Sequence, residues 1–407
     1  MAALIICMVT LVWHQTDWTG GGFQIYWNDS TKYLDSYGVE TEAYPGEIVI
    51  TGPGHTFREK KVGTGIPLEE IYTMIRIDTN LYCSGVGGAF GKLSTKGFTF
   101  MSNVEPLVEN ITVHKLCFTG EGILYAITDL NGVPLYQSVD TGKTWKRAMN
   151  ATIQDLQPMD IIEAWGYLYL CGKEETGAYI YEGDGMSWRL AHKLATPYSC
   201  FYTMLYTDDT LYAGGMEVVT DTYPSIWKTG NGLNWKEVGK PASGTTKVVD
   251  SLAEYKGYFF AGTDKGLFVS QNRGKKWTRM TEEDIIIYGF EEVDGILYAC
   301  GKDTQDRCVL MRTDDGVEWT DCRLGVISRL KGLRCIGKAR EGIVFCGAEE
   351  NASGEVWVLK SDYLSRGWVI SSILDISPIG GLGRITWEAK LPPQSVIEVK
   401  VRAGNSP

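Results

Sequence analysis

Apolar and polar positions along this chain keep a strand rhythm almost throughout, and helical periodicity is nearly absent. Between about residues 67 and 372, short and nearly continuous apolar runs carry an aromatic at Tyr82, Tyr125, Tyr169, Tyr212, Phe260, Tyr298 and Phe345, forty-odd residues apart. Such runs mark strands covered on both faces. Each repeat divides into four strands. In the sixth, 285–291 opens, 295–301 is the buried second strand, 308–312 the third and 318–322 the outermost.

A second series runs in phase with the first and falls at the turn between third and fourth strands. Its best copy is Ser138, Asp140, Gly142 and Trp145. Ser and Asp side chains bond the N–H groups of their own turn, Gly accepts positive φ, and Trp supplies buried area beside the turn. Ser270, Asn272, Gly274 and Trp277 keep all four places, with Asn for Asp. Asp314, Gly316 and Trp319 keep three, with Arg312 in the Ser place. Gly185 with Trp188, Gly232 with Trp235 and Gly97 with Phe100 keep two. The seventh copy ends at Trp368 but has Tyr363 and Ser365 where Asp and Gly belong.

These turns resemble the Asp-box, or BNR repeat, at the outer hairpins of many β-propellers. Two series of seven members with a period in the forties fit one four-stranded blade per repeat. The expectation is therefore an all-β fold: a seven-bladed β-propeller over 67–374. Residues 1–66 carry no repeat. Residues 375–407 hold two alternating strands split by Pro392-Pro393, too few to fold alone. The two ends are expected to dock as a small β-sandwich-like module. The run at 3–13 reads as a buried strand, because no basic residue precedes it and it is short for a membrane span.

Net charge is −11 and the isoelectric point near 5.1, which excludes a general nucleic-acid binder. Cys83, Cys171, Cys300 and Cys346 follow second-strand aromatics in different repeats and read as core thiols, favouring a reducing compartment for folding. Cys308 and Cys322 flank the sixth turn and are a candidate pair. Asn28, Asn110, Asn150 and Asn351 open glycosylation sequons.

Candidate chemistry changes this picture little. The four histidines, His14, His55, His114 and His192, form no zinc spacing, so neither metal nor cofactor is expected. No nucleophile elbow, P-loop or dinucleotide fingerprint occurs. Sialidases also carry Asp-boxes, on six blades, and that likeness implies an arginine cluster; here the nearest match to their Arg-Ile-Pro motif is Arg76-Ile77-Asp78. A photosystem-assembly propeller also has seven blades, but the arginine patch it needs is not evident. The longest loop between second and third strands, at 214–223, carries Glu217, Asp221 and Tyr223 and is the best binding candidate.

The C-terminal pattern at 384–404, Trp387 and Pro392 followed by an alternating strand closing on Arg402 and Gly404, resembles modules attached to propellers in phage virion and prokaryotic surface proteins. That resemblance implies a non-enzymatic structural or adhesion component of a phage tail or fibre, folded in host cytoplasm and present in many copies. Its partners would be other virion or surface proteins, with host glycan a further candidate. The alternatives are a secreted or cell-surface glycan-binding propeller and a sialidase-like glycoside hydrolase.

Overall fold

In the computed structural model the described residues run from 70 to 359 with short breaks, the longest at 102–110 and 322–331, together with strands within 33–50 and at 368–371. The chain divides into two compact units, Thr56–Lys360 and a second made of Met1–His55 with Ser361–Pro407. Expectations for 1–32, the sequons other than their neighbourhoods, and 372–407 lie outside the described residues.

Six antiparallel four-stranded sheets follow one another in strict chain order. Their innermost strands are Ile71–Ile77, Val113–Phe118, Gln157–Ala164, Cys200–Thr207, Val249–Tyr255 and Ile285–Val293. Each inner strand packs on the next, and a further strand, Leu333–Lys338, closes the circuit between the sixth sheet and the first. This is a β-propeller.

The expected count of seven blades is corrected: the structure shows six. The seventh repeat forms a three-stranded sheet of Leu333–Lys338, Val344–Glu350 and Ser353–Leu359. The strand that would have been its outermost, Trp368–Ser371, pairs instead with Tyr33–Tyr37 in the other unit. The cause is legible in the turn. The sequence there has Tyr363 and Ser365 in place of the Asp and Gly that favour a tight return in the other repeats.

The core lies between sheets. Leu124, Ala126 and Tyr136 of the second blade pack with Tyr82 and Phe90 of the first, and the same arrangement recurs around the circuit. The Trp anchors lock these faces together. Trp145 stands edge-on to Phe90 of the preceding blade at 5.4 Å, and Trp319 meets Phe260 at 5.4 Å in the same way. Cys83, Cys117, Cys171, Cys200, Cys300 and Cys335 are buried, unbridged thiols. Cys308 is buried also; its expected partner Cys322 lies outside the described residues.

Candidate functional site at the channel mouth

Every inner strand carries one extra residue, a β-bulge, near its start. The register against the second strand skips Tyr72, His114, Met159, Tyr202, Asp250, Tyr288 and Arg334, one from each blade and one from the three-stranded sheet. A bulge leaves its extra residue out of the ladder and re-aims the side chain. The residues just before these are buried and apolar, Ile71, Val113, Phe201, Val249, Ile287 and Leu333 among them. All seven bulge residues, by contrast, are partly exposed. They form a ring at one mouth of the channel.

The second strand makes room for the bulge. Gly85, Gly172, Gly215 and Gly301 each follow a second-strand aromatic by three places and lie opposite the residue before the bulge. At Gly85 and Gly301 a Cβ would overlap the carbonyl oxygens of Glu70 and Ile286. The residue after the bulge stitches neighbouring blades: Thr73 Oγ1 accepts the Leu116 N–H, Asp160 Oδ2 accepts that of Met204 at 2.7 Å, and Ser251 Oγ donates to Ile287 O. Lys115 Nζ lies 3.6 Å from Asp160, whose charge holds the ammonium above the usual lysine range.

From Tyr288 through Arg334 and Tyr72 to His114 the ring side chains touch in sequence. The Arg334 guanidinium lies 4.4 Å from the Tyr288 ring centre and 5.3 Å from that of Tyr72, and its Nε donates to Glu70 at 2.7 Å. Tyr72 in turn meets His114 at 5.8 Å, and burial lowers the imidazole's basicity. On the other side of Tyr288 comes Asp250, then Tyr202. Among the described residues Asp250 has no hydrogen-bond or ion-pair partner. Burial, reinforced by the nearby Asp264 and opposed by Arg334, pushes its carboxyl up to about 7. Deeper in the channel wall, burial raises Glu291 to about 7 as well, against the pull of Lys115 and Lys338.

The Asp-box residues lie on the opposite face, where third strands turn into fourth. Ser138 Oγ accepts the Gly142 N–H at 2.8 Å, and Asp140 accepts the N–H and hydroxyl of Thr144, which hold its carboxyl down at about 2. Ser270 and Asn272 repeat this on Gly274 and Lys276. At the sixth turn the closing carboxylate is Asp315, not the adjacent Asp314: its Oδ1 accepts from Val317 and Glu318, while Thr313 takes the Ser role. Asn231 with Thr229 and Asp184 use the same shorter form. The signal for it is an Asp-Gly or Asn-Gly pair directly before the Trp turn. Trp145, Trp277 and Trp319 all pack inward beside these turns, and Gly142, Gly274 and Gly316 all take positive φ. None of these residues is on the ring's face.

The expected binding loop is on the ring's face, in another form. Its strands extend to Val218 and restart at Thr222, with Glu217 opposite Tyr223, so it is a hairpin with a short tip. Asp221 Oδ1 accepts the Thr222 N–H. The hairpin is tied by Val218 N to Ser199 Oγ, and Met216 Sδ lies 4.0 Å from the Tyr202 hydroxyl of the ring. Tyr198, at φ 70° and 78% exposed, Val219 and Tyr223 stand out from the same blade. The sequence thus singles out this hairpin and leaves the neighbouring ring unmarked. Arg76 is used locally, its Nε on the Asp78 carbonyl. Among the described residues no three His, Cys, Asp or Glu side chains come together as a metal site, and no helix is long and apolar enough to cross a membrane.

No family model matches the sequence, and no curated protein does. Solved structures match the fold. YCF48 from Cyanidioschyzon merolae superposes with TM-score 0.53 at 12% identity, over 74% of this chain and 98% of that one. YCF48 bound to D1 peptide gives 0.54 at 12%, over 76% and 98%. The extracellular domain of the hybrid two component system BT4673 from B. thetaiotaomicron gives 0.57 at 14%, over 74% of this chain and 39% of that one.

Proposed function

We propose that this chain is a non-enzymatic protein-binding propeller that holds an extended segment of a partner at the channel mouth. The observation that carries the reading is the bulge in every inner strand, which sends tyrosines, a histidine, a methionine and two charged groups to one opening. Tyr and Arg are the side chains that anchor protein interfaces, and the exposed Tyr198, Val219 and Tyr223 continue that surface outward along the fourth blade. A structural neighbour has been solved with a peptide bound. The ring contributes one arginine, Arg334, where a sialidase-like grip needs several.

The finer placement we propose is an assembly or adhesion role in a phage virion, supported by the sequence pattern at 384–404. Its test is mass spectrometry of purified particles: the chain should be a stoichiometric component. The binding reading is tested by selecting peptides from a random display library on the full chain and measuring them against Tyr72→Ala. Peptides that lose at least tenfold affinity to Tyr72→Ala support it. If no selected peptide loses affinity to Tyr72→Ala while a glycan array probed with the same chain gives binding that Tyr72→Ala abolishes, the glycan-binding alternative is favoured, for which the same aromatic and charged groups would serve.

A further inference from the structure

The ring contains its own example of how it treats a cation. Arg334 is held with its guanidinium against the faces of Tyr72 and Tyr288 while the Glu70 carboxylate accepts the hydrogen bond from its Nε–H. Two tyrosines and one carboxylate are the components of that arrangement, and cation–π attraction plus a charge-assisted hydrogen bond are its physics. The next stretch of the ring offers the same components again. Asp250 stands in ring order between Tyr202 and Tyr288, the bulge residues of the two inner strands that pack on either side of its own. No cationic side chain among the described residues bonds it. Arg334, the bulge residue of the closing sheet, is already committed to Glu70.

We propose that Asp250, flanked by Tyr202 and Tyr288, receives a lysine or arginine side chain from the partner protein. The proposal rests on the reading of the mouth as a protein-binding site and names the chemistry of the residue that enters it. A carboxylate from the partner is disfavoured, because Asp250 and Asp264 both lie on that side of the ring. The chain's net charge of −11 also draws a basic segment toward it over long range. The groups facing Asp250 are Tyr202 from the fourth blade, Asp264 from its own, Tyr288 from the sixth and Arg334 from the closing sheet. A bound cation favours the charged carboxylate of Asp250, so binding should release a proton wherever that carboxyl is still protonated.

The test uses the full chain and the peptides selected from the random library, measured by fluorescence polarisation at pH 6 and pH 8. Peptides whose affinity depends on Tyr72 should contain a required Lys or Arg, whose replacement by norleucine weakens binding at least tenfold. Asp250→Asn should produce the same loss, with no further loss when both changes are combined. Wild-type affinity should rise about tenfold from pH 6 to pH 8, and Asp250→Asn should flatten that rise. If mouth-bound peptides need no basic residue and tolerate Asp250→Asn, this inference is overturned while the protein-binding reading stands. If no peptide depends on Tyr72, both fall together.

Discussion

Replacing Asp250 by Asn should make the protein more stable at neutral and alkaline pH, and the size of the gain follows from the ring. Burial raises the carboxyl from the usual 3.8 to about 7, roughly three units at about 1.36 kcal/mol each, which sets a ceiling of about 4 kcal/mol. The side chain is partly open to the channel, and screening there trims the expected effect to about 2 kcal/mol. The sign follows from the direction of the shift. A carboxyl whose folded value is raised stabilises the fold below its unfolded value, near pH 4, and that contribution disappears as pH rises through about 7. The amide cannot ionise and loses nothing. Urea unfolding of both proteins at pH 4.5, 6, 7 and 8 isolates this one group, since Glu291 and all other titrating residues are common to both. The unfolding free energy of Asp250→Asn minus that of wild type should grow by about 2 kcal/mol across the range. A difference that stays flat, or that falls with pH, would refute the argument that Asp250 is buried without a partner.

Other consequences are sharper still in location. Gly232→Ala adds a Cβ that would overlap the Tyr169 hydroxyl, at a residue with φ 73°; overpacking and backbone strain together should cost about 2 to 4 kcal/mol in urea unfolding. Asp140→Ala should cost about 1 kcal/mol at pH 7. Because Asp140 is held down at about 2, that gap should close as pH falls from 4 through 2. Thr73→Val leaves the buried Leu116 N–H without its acceptor and should cost about 1 to 3 kcal/mol. Burial pushes the thiols of Cys117, Cys200 and Cys335 up to about 12, so a thiol reagent at pH 8 should leave them unmodified until denaturant is added, as followed by intact mass.

Much of the propeller could be read from the chain because two different demands repeat there. A second strand buried on both faces must be apolar, and a turn pinned by Trp must carry Gly, so both leave marks at a fixed spacing. The blade count was misjudged where only half of the second mark survives. Trp368 remains, but the residues that bend the chain back do not, and the strand finds Tyr33–Tyr37 instead. The ring was missed for a different reason. Tyr72, His114, Met159, Tyr202, Asp250, Tyr288 and Arg334 share no chemistry, so no pattern of side chains announces them. What they share is a backbone irregularity in their own strand, and its trace is left on the neighbouring one. That trace is the glycine three places after the aromatic at Gly85, Gly172, Gly215 and Gly301. That glycine is legible as a close approach of main chains, but only once the partner strand is known.

The extra residue in each inner strand separates two jobs that most positions in a protein must share. Its direction is dictated by main-chain geometry, with a small residue, Gly85, Thr263 or Ala348, across from the position before it, while that preceding residue, Ile71, Val249 or Leu333, fills the interior. Mutation at one such place can therefore rewrite what the opening prefers without disturbing how the sheets nest, and each sheet can be edited by itself. A protein built this way can change the chemistry of its rim one letter at a time.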